Sequence, residues 1–179
     1  MITGNCGISV APLRSDMVLP MPLSLVDGPG ATRYKSFAAY FEALCSTPSS
    51  VNVAALVGHT TLRAGTMGSL DRPAAEREIR AMRAGVQEAL DAGVIGLSID
   101  TACLPAMKAT TQEIIEVARP LSACQALYVT HMRDETDHMI EAVEETFRIG
   151  RELGVAVIVS HSKVQNRLPT SDVRRRRWN

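Results

Sequence analysis

The sequence predicts an α/β fold built on parallel strands, and three observations carry that prediction. Four short runs rich in β-branched residues, 51–57, 94–98, 127–130 and 155–160, are almost continuously apolar, as strands covered on both faces are. Amphipathic segments with helical spacing lie between them. The runs recur at intervals of about 30 to 40 residues, the length of a β-α-β unit with its right-handed crossover. Two architectures meet these conditions, an open doubly wound sheet and part of a (β/α)8 barrel. No G-x-G-x-x-G occurs, so the phosphate-binding turn of a dinucleotide-binding sheet is missing. A complete barrel needs about 200 residues or more. The chain has 179.

Residues 1–5 read as the end of a strand, and residues 10–31, with four prolines, as an irregular loop. Tyr34, Phe37, Phe41 and Leu44 recur at spacings of three and four and predict a helix over 32–45. A second helix is predicted over 72–91, with Asp71 as its cap and Pro73 in its first turn. Its buried stripe is Ile79, Met82, Val86 and Leu90, and Gly93 ends it. Thr110 and Glu113 have the spacing of a capping box before Ile114, Val117 and Leu121. Pro120 must shorten or kink that third helix, because it cannot donate to a carbonyl four residues back. The fourth helix, 137–152, is expected to bury Ile140, Val143 and Phe147, to expose Glu144 and Arg148 as an i,i+4 pair, and to stop at Gly154.

Composition fits one soluble globular domain, with 46% hydrophobic and 21% charged residues, and argues against a disordered chain or a membrane span. Nineteen basic residues balance nineteen acidic ones, but Arg174 to Arg177 are four of the nineteen. Without them 15 basic residues face 19 acidic, a net of −4, so the body gives no electrostatic reason to bind nucleic acid or an anionic membrane. Cys6, Cys45, Cys103 and Cys124 form no C-x-x-C pair and lack the density of a disulfide scaffold. Reduced thiols and a cytoplasmic location are expected, since the N-terminus has neither the basic patch nor the apolar core of a signal peptide.

His131 and His161 each follow a predicted strand, 30 residues apart, one β-α-β unit. In parallel α/β folds functional groups gather at the C-terminal edge of the sheet, where neighbouring strands would bring these two imidazoles to one ion. The alternative is two unrelated polar residues at strand ends. Cys6, in Gly4-Asn5-Cys6-Gly7, also follows a strand end and is flanked by glycines that allow close backbone approach. On its own it would be a small buried hydrophobe. With the histidines it makes a thiolate and two imidazoles, a set that suits Zn2+ and leaves a fourth position open, as catalytic sites do.

Four collinear segments then resemble one known family. They are Gly4-Asn5-Cys6-Gly7-Ile8-Ser9-Val10-Ala11-Pro12, Asn52-Val53-Ala54-Ala55-Leu56-Val57-Gly58-His59, Tyr128-Val129-Thr130-His131-Met132-Arg133-Asp134-Glu135, and Ser160-His161-Ser162-Lys163. From about residue 2 to 165 the chain is similar to the N-acyl-D-amino-acid deacylases (D-aminoacylases) of the amidohydrolase superfamily. That resemblance implies an incomplete (β/α)8 TIM barrel of the metal-dependent hydrolase type, about strands two to six. It implies residues 1–165 as the partial barrel, 166–179 as a divergent basic tail, and zinc held by Cys6, His131 and His161. Lys163 would help hold the substrate carboxylate, for which an ammonium is a suitable point charge. Arg133 is the lesser candidate for a similar or supporting role, with an ion pair to Asp134 or Glu135 as the alternative. The implied reaction is hydrolysis of an N-acyl-D-amino acid, a small-molecule partner, to a carboxylate and the free D-amino acid. The family's general base is an aspartate after the last barrel strand. No residue here matches it, so the chain is expected to be inactive alone.

The chain departs from the family pattern in three places. The His-x-His pair after the family's first barrel strand has no counterpart, nor do its last two strands, which predicts exposed edges and self-association through them. At Ser98 to Pro105 the resemblance places the family's glycine and tyrosine positions at Asp100 and Cys103, which puts substrate choice in doubt, and Asp100 is expected to be an exposed loop carboxylate, with a replacement general base as the alternative. Beyond Lys163 the resemblance ends, and a fragment end or a change of reading frame accounts for that better than a nucleic-acid arm. His59 is expected to make a structural hydrogen bond, His138 to be solvated, and Cys45 and Cys124 to fill the core or helix ends. The alternatives to a D-aminoacylase are another amidohydrolase acting on a related amide, and a non-catalytic metal-binding remnant or split-protein piece.

Overall fold

Five parallel strands, β1 (Ile2–Thr3), β2 (Ala54–Gly58), β3 (Gly96–Asp100), β4 (Leu127–His131) and β5 (Val157–Val159), form one sheet in the order in which they occur in the chain. The computed structural model describes residues 1–28 and 31–161, so Lys163 and the tail at 166–179 lie outside the described residues. Strand order decides between the two architectures. A doubly wound sheet reverses direction at a switch point and covers both faces with helices. Here each strand adds beside the last, and crossovers of one hand then place every helix on one face, as in a (β/α)8 barrel. The sheet is an arc of such a barrel.

Among the described residues seven α-helices connect or flank the strands: α1 (Phe37–Ser46), α2 (His59–Thr66), α3 (Glu76–Asp91), α4 (Leu104–Met107), α5 (Thr111–Ala118), α6 (Pro120–Cys124) and α7 (Met139–Leu153). On the outer face α3 packs against α5, and α5 against α7. Alternation along the strands sends Ala55, Val57, Leu97, Ile99 and Tyr128 into the core shared with Met82, Val86, Ile114, Val117 and Ile149. Leu56, Leu127, Val129 and Ile158 point the other way and line a cavity of about 220 Å³ on the inner face.

Local chemistry accounts for the element boundaries. Ser36 caps α1 by accepting a hydrogen bond from the Ala39 amide at 3.2 Å. The second predicted helix begins at Glu76 instead of 72. Asp71 accepts from the Ser69 hydroxyl and so does not cap it, while Glu78 reaches back to the Ala75 amide at 2.7 Å. Thr110 caps α5 through the Glu113 amide at 3.0 Å, but the Glu113 carboxylate goes elsewhere, so only half of the expected capping box forms. Pro120 divides that segment into α5 and α6. The helix α2, which follows β2 directly, has no clear signal in a stretch containing three threonines and a glycine.

The fourth predicted helix has the right length but is rotated. Ala142, Thr146, Ile149 and Leu153 face inward, whereas Ile140 and Phe147 are exposed. Small residues explain the rotation. A Cβ placed on Gly150 would lie 2.3 Å from Val157 Cγ2, so the helix docks on β5 through its small-residue side and its bulky residues turn outward. Arg148 pairs with Glu152 at 2.8 Å and not with Glu144. No helix among the described residues is long and apolar enough to cross a membrane.

Candidate metal centre

Three segments meet at the C-terminal edge of the sheet. The first is the turn after β1, where Gly4 has φ +87° and Gly7 has φ +71°. A Cβ at Gly4 would stand 2.0 Å from the Leu56 carbonyl oxygen, so only glycine fits. Cys6 itself adopts a left-handed φ of +50°, uncommon for a side chain and held here by its surroundings. Ser98, on the inner face of β3, holds this turn: its hydroxyl accepts from the Gly7 amide at 3.1 Å and donates to the Gly4 carbonyl.

The second and third segments supply histidines. His131 is the last residue of β4, and His161 stands two residues beyond β5. Their rings lie 4.1 Å apart between centroids, at 76° to each other. Cys6 Sγ is 3.6 Å from His161 Nε2, and one donor atom from each of Cys6, His131 and His161 lies within 4.8 Å of the other two. Three soft or borderline donors converging from three separate segments match the ligand chemistry of zinc, and three protein ligands leave a position open. The residues present therefore fit the ion that the sequence pattern implies. Burial, then the charges of Asp100 and Glu135, raises the Cys6 thiol above its ordinary pKa.

Two carboxylates stand behind the imidazoles. Asp100 is directly opposite His131 in the β3–β4 register, and its Oδ2 lies 3.4 Å from His131 Nδ1. Its Oδ1 accepts from the Ala102 and Cys103 amides, each at 3.1 Å. At 4% exposure it is buried, which corrects the expectation of an exposed loop carboxylate. It belongs to the strand, and the pleat turns it to the inner face. Glu135, also buried, places Oε1 3.2 Å from His161 Nδ1 and 3.7 Å from His131 Nε2. Cys103 occupies the loop beside them, its thiol pushed up to about 12 by burial and by a hydrogen bond to Asp100.

The other singled-out residues lie elsewhere. Arg133 pairs with Glu145, its Nε and NH2 each 2.8 Å from a carboxylate oxygen, and donates to the Met107 and Ala109 carbonyls. The anticipated pairing with Asp134 or Glu135 does not form. Asp134 instead accepts from the Thr136 amide and hydroxyl, and Glu135 turns inward to the histidines. His59 is fully buried, 3.5 Å from Glu113, and neither ring nitrogen has a hydrogen-bond partner among the described residues. Burial lowers its pKa and keeps it neutral. His138 is exposed, as are Cys45 and Cys124 near their helix ends. Sequence reasoning passed over Glu135 and misjudged Asp100. For Asp100 a signal existed, because strand alternation from Ser98 puts it on the face that carries the site.

No family model matches the chain. It is 54% identical over 164 residues to a D-aminoacylase of Alcaligenes xylosoxydans xylosoxydans, covering 92% of this chain and 34% of that protein. It is 48% identical over 165 residues to an N-acyl-D-aspartate deacylase of the same organism, covering 92% of this chain and 33% of the relative. Among solved structures it superposes with a TM-score of 0.87 on a D-aminoacylase described as having a binuclear metal centre, at 51% identity, covering 90% of this chain and 34% of that one. An N-acyl-D-glutamate deacylase of Bordetella bronchiseptica, complexed with zinc and a phosphonate inhibitor, superposes at 0.82 with 36% identity, covering 94% of this chain and 35% of its own. The chain thus spans about a third of the length of the relatives it matches. By sequence and by the arrangement of its five-stranded arc, the chain is homologous to about a third of the length of the D-aminoacylases, a subset of the amidohydrolases.

Proposed function

We propose that this chain carries the zinc-binding part of an N-acyl-D-amino-acid deacylase, with Cys6, His131 and His161 as the ligands. The observation that supports this most directly is the convergence of one donor from each of these residues within 4.8 Å. Zinc, when bound, supplies a Lewis acid that activates water near neutral pH and polarises an amide carbonyl. The protein's own part is to hold the donors in place: the Gly4–Gly7 turn fixes the thiol through Ser98, and Glu135 meets the His161 ring from behind. Lys163 is the residue we assign to the substrate carboxylate. Arg133, its donors taken up by Glu145 and two carbonyls, is assigned a supporting role in the loop after β4. The relatives' names favour a D-amino acid product, and the higher identity to the D-aminoacylase than to the aspartate enzyme favours an uncharged side chain.

Zinc content and turnover test the two halves of this reading separately. The 179-residue chain should retain about one zinc per molecule after dialysis, and Cys6→Ser, His131→Ala and His161→Ala should each lose it. With N-acetyl-D-methionine it should show no turnover, because the carboxylate base that the family uses has no match among these residues. Supplying the rest of a relative's barrel in trans should restore release of the D but not the L amino acid. Absence of zinc from the purified, zinc-supplemented chain would exclude the metal site, and L-selective release would exclude the substrate class.

A further inference from the structure

We propose that Glu135 is a positioning residue for His161, accepting a hydrogen bond from Nδ1 of that ring so that the lone pair of Nε2 is turned toward Cys6 and the ion. The proposal rests on the zinc-site reading above. Both ring nitrogens of His161 are placed by contacts: Nδ1 lies 3.2 Å from Glu135 Oε1, and Nε2 lies 3.6 Å from Cys6 Sγ. An ionised carboxylate can only accept, so this bond requires the ring proton on Nδ1 and leaves Nε2 as the atom for a metal. Glu135 itself stands outside the ligand set. The donors within 4.8 Å of one another are those of Cys6, His131 and His161. His131 Nε2 is 3.7 Å from the same carboxylate oxygen, beyond hydrogen-bond reach, so His161 is the ring that Oε1 bonds.

Packing does not orient this ring, whose side chain is 37% exposed. The backbone beside it is fixed, since the Ser160 amide donates to the Thr130 carbonyl at 2.9 Å and the Ser160 hydroxyl to Asn5 Oδ1 at 2.8 Å, but those bonds leave the ring's own torsions free. Glu135 removes that freedom, and its own place is set from both sides. Before it, Arg133 is clamped to Glu145 and to the Met107 and Ala109 carbonyls. After it, Asp134 Oδ1 accepts from the Thr136 amide at 2.6 Å and the His138 amide at 3.3 Å, which closes the turn. Among the described residues the Glu135 carboxylate pairs with no side chain but the two imidazoles. A buried carboxylate kept without an arginine or lysine costs folding free energy, so the site accounts for it and the fold does not.

Two substitutions separate positioning from scaffolding. Glu135→Leu removes the acceptor at similar volume, and Glu135→Gln keeps an acceptor without the charge. In the metal-free 179-residue chain at alkaline pH, the nitrogen chemical shifts of His161 should place the proton on Nδ1 in the wild type and in Glu135→Gln, and show a move toward Nε2 in Glu135→Leu. Zinc affinity, measured by competition with a chromophoric chelator, should fall about 10- to 100-fold in Glu135→Leu and by less in Glu135→Gln. The thermal midpoint of metal-free Glu135→Leu should equal or exceed the wild-type value, because a buried charge without a cation is gone, whereas a purely structural role would lower it. At saturating cobalt(II) the thiolate charge-transfer and d–d bands of Glu135→Leu should match the wild type, since the ligands are unchanged. A wild-type His161 protonated on Nε2, equal zinc affinity in wild type and Glu135→Leu, or a lowered metal-free midpoint in Glu135→Leu overturns the positioning role while leaving the metal site standing. Altered d–d bands overturn it in favour of Glu135 as a ligand. A wild-type chain that binds no zinc overturns the zinc-site reading, and the positioning role with it.

Discussion

Arg63 lies at the centre of a buried charged cluster away from the metal centre. Its guanidinium meets the Glu113 carboxylate and donates to the Pro105 and Arg72 carbonyls, each at 2.8 Å, while Glu113 also accepts the Ala74 amide. Both side chains are within 1% of full burial. A buried pair costs much desolvation, and removing one partner strands the other, typically for about 3–5 kcal/mol. Glu113→Ala should therefore lower the unfolding free energy, read by urea denaturation, by an amount in that range, whereas Arg14→Ala, which breaks an exposed pair with Asp16, should cost less than about 1 kcal/mol. Acid should act on the same groups. Burial works to raise the Glu113 pKa but is outweighed by His59, the Ala74 amide and Arg63, so it lies below the usual carboxylate range. Arg72 and the Ala75 amide hold Glu78 at about 2. Because these folded-state pKa values are depressed, their stabilisation is complete above about pH 4.5 and disappears as pH falls toward 2. Urea midpoints that stay level from pH 7 to 5 and then drop would agree. A midpoint that rises on acidification would not.

At the scale of elements, close backbone approach places the thiol. Gly4 and Gly58 leave no space for a Cβ, which would meet the Leu56 and Gly7 carbonyl oxygens at 2.0 and 2.3 Å. Gly4→Ala should displace the Cys6 turn and weaken zinc retention along with thermal stability. Gly68→Ala, at a position with open space, should do neither, and equal zinc content in the two variants would exclude this account. In α7 the inward face is the one that matters. Ile149→Ala should cost about 2–5 kcal/mol and Phe147→Gln less than about 0.5 kcal/mol, in reverse of what hydrophobicity alone would rank, as chemical denaturation can check.

For the whole molecule, β1 and β5 are the edge strands among the described residues, and Ile2 and Ile158 are 59% and 43% exposed beside the inner-face cavity. Unpaired strand edges next to an apolar face invite association. Size-exclusion chromatography should show species that grow with concentration, reduced by Ile158→Lys. A compact monomer across the concentration range would refute this.

Four strand runs, the capped start of α5, the break at Pro120 and the parallel α/β class were all legible, because each is set by residues within a few positions of one another, whereas the start of α1 at its Ser36 cap was not anticipated. The glycines around Cys6 and the two strand-end histidines also marked the candidate ligands before any geometry was known. Side-chain stripes were less legible. Ile140 and Phe147 have the right spacing and the wrong face, because the position of α7 is decided by how closely Gly150 can approach Val157. The choice of a barrel arc over a doubly wound sheet was equally invisible to periodicity, since both have the same β-α order and only strand adjacency differs. The sequence by itself therefore determined which residues can form the strands, helices and ligand atoms, since propensity and donor chemistry are local. Tertiary structure alone decided which of them meet. The Asp100–His131 register, the inward turn of Glu135 and the burial of Arg63 against Glu113 depend on contacts between segments 26 to 50 residues apart, and no local pattern encodes those distances.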